Sequence, residues 1–243
     1  MLHIEKMKYS PILIVFLLLQ SFYNLNAQNK KLENLRLDDS KTMRFGYYLG
    51  INFFNAKNNY FETNNSQTFN LAVKSKPGFD VGLIADFRLN NFFNIRFHPG
   101  VAFVEREIKF PFSEEQFSEA LINRVVKSNY IRFPLGLKFN TKRIGNFRPF
   151  IMGSFSKNIN LSSNEKSFED NTSGTFRMKS NINGWEFSIG SEIYLPFFKL
   201  TPSVHGFFGL TDEILKDNDK NSPFTKYIKS MKSRGVFLRF TFE

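Results

Sequence analysis

Two histidines, His98 and His205, and four carboxylates, Asp80, Asp86, Glu186 and Glu192, are the residues whose types suit acid–base or metal chemistry. None of them sits in a motif that performs it. The sequence has no Cys, no G-x-S-x-G and no H-E-x-x-H run, and no metal-ligand spacing. Carboxylate pairs such as Glu114-Glu115 and Glu169-Asp170 fall in stretches read as loops, where solvation is their ordinary fate. What the chemistry-bearing residues share is a spacing of two. From Gly78 to Arg106, Phe79, Val81, Leu83, Ala85 and Phe87 alternate with Asp80, Gly82, Ile84, Asp86 and Arg88. After a turn at Asn90-Asn91, Phe93, Ile95, Phe97, Val101 and Phe103 alternate with Asn94, Arg96, His98, Gly100 and Ala102. A period of two is a strand with one apolar and one polar face.

The same pattern recurs along the chain. Strands are expected at Arg44 to Phe54, Asn129 to Asn140, Phe147 to Lys157, about Trp185 to Leu195, Phe198 to Leu210 and about Gly235 to Phe242. With the opening hairpin that makes eight. The connections alternate long and short, as in an up-and-down outer-membrane barrel with long outer loops and short periplasmic turns. Each strand is close to the 9–11 residues that cross a bilayer at a tilt. The expected fold is therefore all-β, an eight-stranded antiparallel up-and-down transmembrane β-barrel. A lipocalin-like soluble barrel would need an apolar lumen. Ser113 to Val126 switches to helical period, with a Ser113–Gln116 capping box and Phe117, Leu121 and Val125 on one face. It is expected to form a short amphipathic helix inside a loop. Pro99, Pro134, Pro149 and Pro202 fall inside expected strands, where each removes a ladder donor.

If the alternation keeps its phase, the lumen collects Asp80, Asp86, Arg88, Arg96, His98, Arg132, Lys138, Glu186, Glu192, His205 and Arg239. An eight-stranded barrel is only just wide enough for its own side chains. A structural lumenal charge network is therefore expected from Asp80, Asp86, Arg88, Arg96, Arg132, Glu186, Glu192 and Arg239, and no catalytic, cofactor or metal site. The basic stretches Lys216 to Arg234 and Arg106 to Arg124 face outward in this topology.

The N-terminus carries Lys6 and Lys8, the apolar run Pro11 to Leu19 and Leu25-Asn26-Ala27 before Gln28, the three parts of a secretory signal peptide. The expected organisation is a signal peptide over 1–27, a polar periplasmic lead-in tail over 28–42 and a barrel over 43–243. Hydrophobic content of 42% coexists with a mean hydropathy of −0.30, because apolar and polar residues interleave. The apolar face is built on rings, with 32 Phe and one Trp. A net charge of +11 with no nucleic-acid signature points to anionic headgroups, so outer-membrane lipid and lipopolysaccharide are the expected partners.

Several runs, GFDVGLIADFRL, NIRFHPGVAFVER, VKSNYIRFPLGLKF, RIGNFRPFIMG and SRGVFLRFTFE, resemble in the same order those of the PorT family. The likeness covers about Arg44 to Glu243 and is weakest in the long loops. It implies an outer-membrane barrel required for type IX protein secretion and, in gliding bacteria, for motility, with other secretion-system proteins as partners. It brings no catalytic residues. The alternatives are a small channel, a structural or adhesion barrel, and an enzyme acting on outer-membrane lipid.

Overall fold

Strands with an apolar and a polar face expose two unpaired edges unless the sheet closes on itself. In the computed structural model, which describes residues 33–61, 70–219 and 222–243, the sheet closes. Its strands are β1 (Met43–Tyr60), β2 (Ala72–Arg88), β3 (Phe93–Phe97), β4 (Gly100–Lys109), β5 (Asn123–Asn140), β6 (Phe147–Asn160), β7 (Asn181–Tyr194), β8 (Lys199–Gly209) and β9 (Ile228–Phe242). β3 and β4 both lie between β2 and β5 and form one interrupted stave, so the ring has eight staves. β1 pairs antiparallel with both β2 and β9, which closes the ring. The residues expected to be a signal peptide lie outside the described residues.

The faces follow the alternation. Phe45, Tyr47, Leu49, Ile51 and Phe53 are exposed, while Tyr48, Asn52 and Phe54 are buried. In the hairpin, Phe79, Val81, Leu83, Phe87, Ile95 and Phe103 are exposed. A ring of large apolar side chains turned outward suits hydrocarbon, not water. Among the described residues no helix is long and apolar enough to cross a membrane.

The strands outrun their expected limits. β1 and β5 each have 18 residues, against about 11 needed to span the hydrocarbon. Part of the Asn-rich stretch read as a loop, Asn55 to Pro77, is strand in β1 and β2. Its backbone groups are satisfied by a continuing ladder, from Asn55↔Arg234 to Asn59↔Ser230. The expected helix over Ser113 to Val126 shrinks to one turn, α1 (Glu119–Ile122). Asn123 to Val126 instead pair with β4, as in Arg124↔Ile108 and Val126↔Arg106. Hairpin pairing wins over helical periodicity because a one-turn helix cannot repay its nucleation. Ser113 caps nothing with its side chain; its carbonyl accepts the N–H groups of Gln116 and Phe117 in a turn.

The prolines have distinct effects. Pro99 separates β3 from β4, yet its carbonyl accepts the Leu83 N–H at 2.9 Å and keeps β2 attached. Pro134, Pro149 and Pro202 stay inside β5, β6 and β8 without changing register, facing Ser156, Ser191 and Phe240.

All four long connections meet above the ring in a small apolar core. Leu71, Phe110, Phe176, Met178, Ile214 and Phe224 are buried there. Phe110 and Phe224 pack edge to face at 5.0 Å, and the Arg124 guanidinium lies 4.9 Å from the Phe224 ring. At the opposite end the lead-in tail is tied down. The Asn34 N–H donates to Asn146 Oδ1 at 2.8 Å and its Nδ2 to the Tyr194 carbonyl at 3.0 Å. Further along this tail Leu37 is exposed.

Candidate functional site

Inward positions of neighbouring staves place side chains of opposite sign at the same height, and they join in three tiers. Nearest the short turns, Arg96 Nε donates to Asp86 Oδ2 at 2.6 Å, and its Nη2 reaches Glu243 Oε1 at 2.9 Å. Lys199 Nζ bridges Glu243 Oε2 at 2.7 Å and Glu192 Oε1 at 3.2 Å, and Lys138 also pairs with Glu192. Three carboxylates face these three cations, and buried Arg44, the ladder partner of Asp86, adds a fourth.

The middle tier centres on Glu186. Its Oε1 accepts from His205 Nδ1 at 2.8 Å, Arg239 Nη1 at 3.0 Å and His98 Nε2 at 3.3 Å. Arg132 holds its Oε2. Arg239 Nε donates to Asp80 Oδ2 at 2.6 Å. Two guanidiniums face two carboxylates, so the charges of these four side chains cancel. Above it lies an aromatic layer in which Phe54 stacks on Tyr130 at 5.7 Å. The upper tier joins lumen to loops: Arg106 Nη1 donates to Ser233 Oγ at 3.0 Å, and Ser233 Oγ donates to Glu213 Oε2 at 2.7 Å.

Asp80, Asp86, Arg96, Arg132, Glu186, Glu192 and Arg239 are therefore brought together in the interior, with His98, Lys138 and His205. Arg88 is not. It has the inward parity but lies at the last residue of β2, where its Nε donates to the Asn90 carbonyl at 3.3 Å and its guanidinium also holds Asn91. Sequence reasoning missed Lys199 and Glu243, although both continue the parity of His205 and Arg239. It also missed Arg106, which reaches Glu213 of a loop through Ser233.

The middle tier contains a hydrogen-bond chain with the connectivity of a hydrolase triad, which the sequence reading did not find. Ser203 Oγ lies 2.9 Å from His205 Nε2, and His205 Nδ1 lies 2.8 Å from Glu186. The surroundings oppose hydrolysis. The adjoining cavity, lined by Tyr48, His98, Ser203, His205 and Arg239, has a volume of about 10 Å³, space for one water and no substrate. His98, Glu186 and His205 also bring three ligand atoms within 4.8 Å of one another. A dication there would stand beside Arg132 and Arg239, which already occupy both oxygens of the carboxylate. The chemistry that this donor set supports is mutual charge neutralisation.

A closed eight-stave ring, apolar outside and ion-paired inside, is a transmembrane β-barrel of the outer-membrane class. The sequence matches the outer membrane protein beta-barrel domain over residues 26–215, and the chain belongs to that family. Similar solved structures include the outer membrane protein OprG from Pseudomonas aeruginosa, with 10% identity, TM-score 0.47 and 82% of this chain against 92% of that one. Neisserial surface protein A has 14% identity and TM-score 0.37, over 83% of this chain and 98% of that one. The attachment invasion locus protein Ail of Yersinia pestis has 10% identity and TM-score 0.34, over 83% and 98%. At these values the family assignment rests on the domain match alone. No curated protein matches the sequence. Family membership places the chain in the outer membrane.

Proposed function

We propose that this barrel is a non-enzymatic accessory component of type IX protein secretion, acting by partner binding or assembly. The resemblance of its strands to the PorT family supports the secretion role. The observation that carries the mode of action is the filled interior: ion-paired tiers below and an apolar loop core above leave no passage for cargo. Work is then left to the surfaces. Two are available to a protein partner, the external loop core and the periplasmic end, where the tail is anchored through Asn34 to Asn146 and Tyr194.

Deleting the gene and comparing proteins in the medium tests this reading. Loss of secreted cargo, with the barrels of other pathways intact, is expected. Unchanged secretion would overturn it. Co-purification from solubilised outer membrane then identifies the partner, and its loss on shortening either the tail or a long loop assigns the contact.

A further inference from the structure

Three cations stand together on the outer wall, just beyond the loop-side edge of the apolar belt. Lys57 of β1 is the direct ladder partner of Lys232 of β9, and Arg234 pairs with Asn55 one outward position lower. Phe53 and Val236 are the next outward pair down, both exposed to the hydrocarbon. Phe208 of β8 flanks Arg234 on the other side. Directly opposed residues of an antiparallel pair have β-carbons about 5 Å apart, and like charges placed so destabilise the sheet.

Elsewhere on the same rim the chain avoids this cost. Lys76 and Lys127 flank Glu105 in the ladder and lie 3.1 Å and 3.9 Å from its carboxylate. Among the described residues no carboxylate comes within ion-pair distance of Lys57, Lys232 or Arg234. Asp212, on the adjoining loop, has its Oδ1 engaged by the Met231 N–H at 2.8 Å and the Ile214 N–H at 3.4 Å. The rim therefore holds one group of cations built around a carboxylate and one group with none, at the level of the outer headgroups.

We propose that Lys57, Lys232 and Arg234 bind the phosphate groups of an outer-leaflet lipid, whose acyl chains lie against Phe53, Val236 and Phe208. The guanidinium offers a bidentate fork and the two ammonium groups act as point charges. A bound phosphate removes the repulsion that the ladder imposes between Lys57 and Lys232. The site depends on the outer-membrane placement of the barrel and is independent of the secretion role.

The test uses the full chain purified in detergent, folded as judged by heat-modifiable gel mobility. It is titrated with bis-phosphorylated lipid A and with the same lipid stripped of phosphate. Replacing Lys57, Lys232 and Arg234 together with Gln is expected to weaken lipid A binding about five-fold per cation, roughly a hundred-fold in all. Replacing Lys76 and Lys127 with Gln is the control at a cation pair that already has a carboxylate, and it should change affinity by less than about two-fold, since Glu105 lies between them. The phosphate-free lipid should bind wild type no better than lipid A binds the triple variant. Lys57→Gln alone guards against a folding defect: without lipid it should leave the unfolding temperature unchanged or raised, while weakening lipid A binding. Equal affinity of wild type and triple variant, an equal loss in the control, equal binding of the phosphate-free lipid, or destabilisation by Lys57→Gln without lipid would each overturn the proposal.

Discussion

Asp80 and Arg239 are joined at 2.6 Å although β1 lies between their strands. Gly50 is the residue over which they meet, because it is the ladder partner of both. A β-carbon at position 50 would stand 2.4 Å from Asp80 Oδ1 and 2.9 Å from Arg239 Cγ. The pair exists because Gly50 has no side chain. Tyr48 uses the same device, its ring lying across Gly82 and Gly100, where added β-carbons would come within 2.6 Å and 2.2 Å of it.

Gly50→Ala should therefore act through the ion pair. It is expected to lower the unfolding temperature, and combining it with Asp80→Asn should cost less than the sum of the two. A coupling of about 0.5–3 kcal/mol is expected from a double-mutant cycle of urea unfolding in lipid vesicles. Additive losses would mean that Gly50 matters for another reason.

Glu186 is the acceptor for two arginines and two histidines, so its removal leaves buried positive charge without a partner. Glu186→Ala should cost about 3–5 kcal/mol by the same unfolding measurement. A loss under about 1 kcal/mol, the scale of an exposed pair, would show that the middle tier is open to water.

The loop core should be separable from the ring. Phe224→Ala removes a buried ring that contacts Phe110, Phe112 and Phe117 and should cost the core about 3–5 kcal/mol. Limited proteolysis from outside should then cut the long loops faster, while the heat-modifiable mobility of the barrel is kept. Loss of both together would mean that ring and cap fold as one unit.

The cap should also weaken as pH rises. Burial pushes the Glu213 carboxyl above its ordinary range, against the opposing pull of the Arg106 charge and the Ser233 hydrogen bonds. A carboxyl with a raised folded pKa holds its proton more tightly in the fold than in the unfolded chain. Its contribution is full below the unfolded value of about 4.3 and is lost as pH rises through the higher folded value. Glu213→Gln should flatten that part of the pH profile, measured by external proteolysis between about pH 4 and pH 8. An unchanged profile would exclude Glu213 as its source.

The parity of the strands was legible from sequence, and with it most of the interior. Phe79 faces out and Asp80 in because side chains alternate, and no tertiary knowledge is needed for that. Parity does not say where a strand stops. Asn55 to Tyr60 look like loop by composition, yet they pair with β9, and Val125 looks helical by period, yet it pairs with β4. Arg88 failed for a related reason: it has the inward parity of Asp86 but is one step past the interior. The Ser203–His205–Glu186 chain was hidden because Glu186 meets His205 through the register of β7 on β8, where His205 opposes Ser188. Cross-strand register is set by the whole ring and appears in no local pattern.

The central claim is that the barrel is closed and works through its surfaces. Planar-bilayer recording of the purified, folded protein tests it most directly. The closed interior predicts no steady conductance steps in wild type, and their appearance only when a tier is emptied, for example by truncating Arg132, Glu186 and Arg239 together. Regular, reproducible steps from wild type would contradict it and favour a channel.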